Sequence, residues 1–421
     1  MLIVLFYSLL QSISYAGPIL CPPPMQAEEK LIFDMPQILK KANNNTCPLF
    51  IFEDLRRRGW HAPSYCEDYF VQFRCCLSPW KDKSYRQKIT TTANLSKKYQ
   101  TKNIPANIVT CLVGKESKGF DPLTINTDYC VRAREKTTRG ISTAAGLGQI
   151  TESTYEDLTI AVSPEERFIS KIIPLPKELQ TQHKAEMTAY KKYKILKDQF
   201  IAAEAEVDKY NKHEYRLKSG AIYRRLRAAE RDWLDKRAET PALWKEYSQE
   251  MYNKVATNPE LQIESIFAVL ERKISLLDDN DFNDATTIGT VNGVSAKSGI
   301  VWTDLNKKKK QYMLALMRYL GTAEKGKKGY VKKLKTDAKY AEHIMSCAQC
   351  MDKTGDFTQC GVKLRPPSKN NEGYNAKTEE LELQRSCKTT EASMKALDLC
   401  LVTCEGLKHS YEDCHGKECK K

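Results

Sequence analysis

The stretch KESKGFDP, residues 115–122, ends a helix-like run on a carboxylate. Upstream, NIPANIVTCLVGKES offers Asn103 as a cap, Pro105 in the first turn, and Ile108, Val109, Leu112 and Val113 at helical spacing. Gly119 and Pro122 then break the pattern, which predicts a helix stopping near Gly119 with Glu116 in its last turn. A glutamate there has two readings: a solvated helix-end charge, or a positioned acid. The rest of the chain has to decide between them.

The bulk properties narrow the field. A chain of 421 residues has room for two or three domains. Hydrophobic content of 41%, with 12 Phe, 21 Tyr and 5 Trp, supports a real core and argues against wholesale disorder. Sixty-seven Lys and Arg stand against 53 Asp and Glu, a net charge of +14. That excess suits a polyanionic partner: nucleic acid, an anionic membrane or a bacterial envelope.

The first residues, MLIVLFYSLLQSISYA, carry an apolar stretch from Leu2 to Leu10 and small residues at Ser14 and Ala16, the pattern of an export leader over 1–16. This run is about half the roughly 20 apolar residues a membrane span needs, so no stable membrane insertion is expected and the mature protein is expected in the periplasm or outside the cell. The 15 cysteines agree with export. Seven (21, 47, 66, 75, 76, 111, 130) precede a long cysteine-free interval and eight (347, 350, 360, 387, 400, 404, 414, 419) follow it. The second group is even and allows four internal bridges; in the first, one thiol is free, pairs with the other group, or pairs between molecules. CAQC at 347–350 has zinc-knuckle spacing, but the later CLVTC and CHGKEC do not repeat it, so disulfides are expected and no metal or other cofactor.

Residues 17–100 read as a Cys- and aromatic-rich segment, and 346–421 as a Cys-rich C-terminal domain. Between them, residues 101–345 are mostly helical, with an insertion at about 163–257. Within the insertion Met187, Tyr190, Tyr193, Leu196, Phe200, Val207 and Tyr210 recur mostly at helical intervals, and Ser219-Gly220 is the natural turn of a long helical hairpin. Over 176–240 there are 16 Lys and Arg against 11 Asp and Glu, a solvated face or a basic arm for a protein partner. ELQIESIFAVLERKISLL (260–277), QYMLALMRYL (311–320) and GYVKKLKTDAKYAEHI (329–344) return to helix.

The chain has no GxxxxGK[ST], no strand leading into GxGxxG, no GxSxG and no HExxH. Nucleic-acid binding has only charge in its favour and is not expected. What stands out is ESKGFDP (116–122) followed by STAAGLGQIT (142–151), then STY (153–155), with LALMRYLGTAEKGKKGYVKKL (314–334) further on. In this order the segments resemble the soluble lytic transglycosylases of the goose-type-lysozyme-like superfamily, closest to the phage and conjugation-type branch. The resemblance covers roughly 100–160 and 258–345. It implies a mainly α fold: a lysozyme-like catalytic core interrupted by the long helical hairpin and flanked by disulfide-rich N- and C-terminal segments.

The chemistry gives a reason for these residue types. Breaking a glycosidic bond needs an acid still protonated near neutral pH, and burial can hold a glutamate in that state. By the resemblance, Glu116 is the acid and then the base, acting on peptidoglycan glycan strands between N-acetylmuramic acid and N-acetylglucosamine to leave a 1,6-anhydro end. Ser117 supports the site, Gln149 contacts sugar, Tyr319 matches the tyrosine of the family's Tyr-Asn-Ala-Gly, and Tyr340 matches the late tyrosine lining the cleft. Cys130 is a candidate partner for Cys111.

Two departures keep other outcomes open. Gly148 stands where the family has Met, and Tyr319-Leu320-Gly321-Thr322 replaces Tyr-Asn-Ala-Gly. A hydrolytic muramidase on the same fold is one alternative, with Asp121 or Asp128 orienting water, although turn capping suits Asp121 better and a solvated loop charge suits Asp128. A wall-binding or interaction protein with a degenerate core is the other.

Overall fold

The computed structural model describes residues 78–122 (without 81 and 118), 124, 144, 146–278 (without 211–212 and 256–257), 282, 304–321, 330–368 and 372–381. The expected leader, Asp128, Cys130 and the cysteines before 111 and after 360 lie outside them. Within them the protein is mainly α-helical: α1 Tyr85–Tyr99, α2 Ala106–Glu116, α3 Glu152–Thr159, α4 Lys177–Tyr210, α5 His213–Ala238, α6 Pro241–Val255, α7 Pro259–Ser275, α8 Lys307–Tyr319, α9 Tyr330–Thr354 and the short α10 Phe357–Cys360. Among the described residues no helix is long and apolar enough to cross a membrane.

The core is built around α2. Val109, Leu112 and Val113 have no exposed surface, and Ile108 is nearly as buried. A helix apolar on all sides needs neighbours on all sides, and α2 has them in α1, α7 and α9. Its N-terminus differs from the sequence expectation: Pro105 is the N-cap residue and α2 has no side-chain cap, because Asn103 turns away to Glu271 of α7. Elsewhere the local signals hold. Ser84 and Gln87 form a reciprocal capping box on α1, Asn258 caps α7 ahead of Pro259, and Asn306 caps α8.

The helical hairpin is α4 against α5, but its turn is not at Ser219-Gly220. Both residues lie inside α5, where Ser219 bonds Glu204 of α4. A Cβ on Gly220 would meet nothing within 4 Å, so no turn or close approach requires this glycine. A helical glycine costs only about 1 kcal/mol, a cost offset by Leu196, Leu226 and Ala229 closing the hairpin's own core. α4 ends at Tyr210 and α5 begins at His213, and Tyr210 and Tyr215 stack at 5.3 Å. At the root Arg167 forms a buried ion pair with Glu186 and lies 4.7 Å over the Trp244 ring. α6 then re-enters the body and packs on α3 and α7, with Trp244, Tyr247, Met251 and Tyr252 buried.

Cys111 bonds Cys347, and Cys350 bonds Cys360. The expected Cys111–Cys130 pairing is thereby corrected: α2 packs on α9, which brings Cys347 to Cys111 across 236 residues of sequence. The two cysteines of CAQC are committed to separate bridges, which removes them from the zinc reading. Helix α9 runs through residue 346 without a break, so Cys347 and Cys350 belong to a core helix.

Candidate active site

Glu116 is the last residue of α2. Ser117 adopts extended geometry and donates its N–H to the Val113 carbonyl at 2.7 Å, which closes the helix. The loop then folds on itself. The Ser117 hydroxyl lies 3.0 Å from the Asp121 N–H and 3.0 Å from the Thr124 hydroxyl. Phe120, at φ +49, is driven into the core between Tyr85 and Phe357. Ser117 has no exposed surface, so it shapes the loop from beneath and is not placed to touch a substrate.

Asp121 is fully buried and paired with Lys88 of α1 at 2.6 Å. A buried carboxylate needs its counter-charge. Lys88 therefore supplies an electrostatic anchor for the loop after Glu116, beyond the turn capping expected of Asp121, and it commits Asp121 away from orienting water.

On the facing side, the loop 146–149 is tied down from several directions. Gly146 N–H donates to the Thr124 carbonyl at 2.7 Å. The Gln149 amide nitrogen donates to the carbonyls of Thr124 and Gly146, each at 2.9 Å. Its φ of +50 is unusual for a residue with a Cβ. Gln149 thus spends its amide donors inside the loop, where the sequence suggested a sugar contact. Leu147 is fully buried, and the next position has no room for a side chain. A Cβ there would stand 2.5 Å from Ile266 and 2.7 Å from the Tyr319 hydroxyl. The empty position lets Tyr319 reach the Gly148 carbonyl at 2.6 Å.

Glu116 and Tyr340 meet directly: the phenol donates to Oε1 of the carboxyl. Glu116 keeps part of its surface open, as do Gln149 and Tyr319, while Tyr340 is buried. Burial pushes the Glu116 carboxyl above the ordinary glutamate range, and the Tyr340 hydrogen bond and the Lys115 charge pull it partly back. Burial also raises both phenols well above their usual value, with the Glu116 charge adding to it, so they stay protonated and serve as donors. The structure therefore gathers Glu116, Gln149, Tyr319 and Tyr340 into one place, with Ser117 below them.

Sequence reasoning missed Lys88 and Gln262 of α7, whose side-chain oxygen accepts the Leu147 N–H at 2.6 Å. The second had a signal: a glutamine inside the apolar run Leu261–Ile263, where only a satisfied polar group belongs. Chemically, the arrangement is a partly open carboxyl held toward its neutral form by burial and oriented by a phenol, which is the equipment of a general acid. No family model, curated protein or solved structure matches the chain.

Proposed function

We propose that this protein is an exported peptidoglycan-cleaving enzyme that breaks the β-1,4 bond between N-acetylmuramic acid and N-acetylglucosamine, with Glu116 as its single acid and base. The observation that carries the reading is the raised, partly open Glu116 carboxyl bonded to Tyr340. With Oε1 engaged by Tyr340, the acid proton sits on Oε2 and passes to the glycosidic oxygen. The bond between that oxygen and the muramyl C1 breaks, and the leaving sugar departs as an alcohol. The Glu116 carboxylate then takes the proton of the muramyl 6-hydroxyl while O6 bonds C1. The ring closes as a 1,6-anhydro sugar, Glu116 is protonated again, and no water is consumed.

The anhydro outcome is favoured over hydrolysis by Asp121, the carboxylate nearest Glu116 in sequence, which is spent on Lys88. Inverting and retaining hydrolases ordinarily use two carboxyl groups across the scissile bond. The charge of +14 adds long-range attraction to an anionic wall, weakening as salt rises.

The test is mass spectrometry of material released from purified sacculi by the mature protein and by Glu116→Gln. Products lighter than hydrolytic ones by one water, absent with the variant, are the expected result. Ordinary reducing ends would make the protein a muramidase. Sacculi bound but left intact would make it a wall-binding protein.

A further inference from the structure

Gln262, on α7, is only 2% exposed, so its side chain is closed off from solvent. Its carboxamide is nevertheless fully employed. Oε1 accepts the Leu147 N–H at 2.6 Å, and Nε2 donates to the Pro122 carbonyl at 2.8 Å and to the Val255 carbonyl at 2.7 Å. Three segments converge on this one side chain: the loop that follows Glu116, the loop that Tyr319 grips through Gly148, and the C-terminal end of α6.

The fit is built on both sides. At Gly146, φ +79, an added Cβ would stand 2.6 Å from Gln262 Oε1, so the close approach of that backbone depends on glycine. A carboxamide offers two donors and an acceptor from one planar head. An apolar residue here would leave an N–H and two carbonyls to find other partners in a buried place, each at a cost of about 1–3 kcal/mol. Simple core packing does not call for this group, since Leu261, Ile263 and Ile266 beside it supply the apolar contacts.

We propose that Gln262 is a positioning residue for the Glu116 site: by holding Pro122 and Leu147 to α7, it fixes the spacing of the two loops that bound the carboxyl. Its catalytic consequence rests on the glycan-cleaving reading above. Without the clamp, the 146–149 loop lifts and Glu116 becomes more exposed to water. The acid then faces the leaving oxygen with a misplacement that, at about 1 Å, costs on the order of 100-fold in rate.

The test compares the full-length mature protein with Gln262→Met, which keeps length and loses all three bonds, and Gln262→Glu, which keeps the acceptor for Leu147 and loses the donors until protonated. Three quantities are read: kcat and KM on soluble glycan strands, the Glu116 carboxyl titration by carbon NMR, and thermal unfolding. For Gln262→Met we expect kcat down roughly 10- to 100-fold with KM within about threefold, and Glu116 titrating closer to an ordinary glutamate. For Gln262→Glu, activity relative to wild type should recover as pH falls and a donor returns. A folded Gln262→Met with wild-type kcat and an unmoved Glu116 titration overturns the proposal. If Gln262→Met does not fold, pH-independent wild-type behaviour of Gln262→Glu overturns it instead. Should the wild-type protein cleave no glycan, the functional reading fails separately. The Glu116 titration then decides for Gln262, a shift supporting its positioning role and no shift overturning it.

Discussion

Tyr340 donates its phenol to the carboxyl of Glu116, although 224 residues separate them in sequence. Tyr319 lies close enough to feel the same carboxyl's charge but donates its hydrogen bond to the Gly148 carbonyl. The two tyrosines hold different parts of the site: one orients the acid, the other pins the 146–149 loop.

Tyr340→Phe removes a bond that stabilises the charged form of Glu116, so the Glu116 pKa rises further. The alkaline limb of the cleavage profile should move to higher pH, and kcat should fall roughly tenfold, as expected for losing a hydrogen bond to a charged group. Tyr319→Phe should shift that limb less and lower thermal stability instead. A pH–rate profile of both variants checks this, and equal shifts would refute the division of roles.

Because burial raises Glu116 in the folded state, the native protein holds a proton there that the unfolded chain releases. Stability is therefore fully present below the unfolded glutamate value of about 4.3 and is lost as pH rises through the higher folded value. Glu116→Gln removes that loss. It should melt above wild type near neutral pH, and the gap should close as the pH is lowered toward 4. Calorimetry across that range is the check, and a gap that widens in acid would reverse the assignment.

His343 behaves in the opposite sense. Burial, with Lys115 and Lys339 nearby, pushes its pKa down to about 4 from 6.5. The unfolded chain binds a proton that the native state refuses, so stability present above about pH 6.5 is lost as pH falls toward 4. His343→Gln should flatten that decline, measured by urea unfolding at pH 7 and pH 4.5. An unchanged decline would place its origin elsewhere.

Removing one partner of the buried Lys88–Asp121 pair should cost far more than removing both. Lys88→Met leaves a carboxylate buried without its cation and is expected to destabilise the protein by about 3–5 kcal/mol. The double variant Lys88→Met/Asp121→Leu should recover much of that loss. A double-mutant cycle from denaturant unfolding gives the coupling, and additive losses would show that the pair does not anchor the loop.

Helix α2 and the place of Glu116 at its end are legible in the sequence, because apolar spacing and the breakers Gly119 and Pro122 act within a few residues. Tyr319 and Tyr340 are legible only through a family resemblance, and nothing in their neighbouring residues tells their hydrogen bonds apart. The turn of the hairpin is misplaced by the sequence reading for a related reason. A Ser-Gly pair is a local turn signal, but its cost inside a helix is small beside the packing of α5 along α4.

Neighbouring residues alone mark out helical segments, a carboxylate at a helix end and a long helical hairpin. Those features follow from periodicity and backbone preference, which are properties of neighbours. The folded arrangement is what brings Cys111 to Cys347, Lys88 to Asp121, Gln262 to both Leu147 and Pro122, and Tyr340 to Glu116. Disulfides, buried charges and hydrogen bonds act over a few ångströms, and no local pattern announces which distant residue will arrive within that range. The depth of burial that raises Glu116 arises in the same way, from helices that meet around it after the chain has folded.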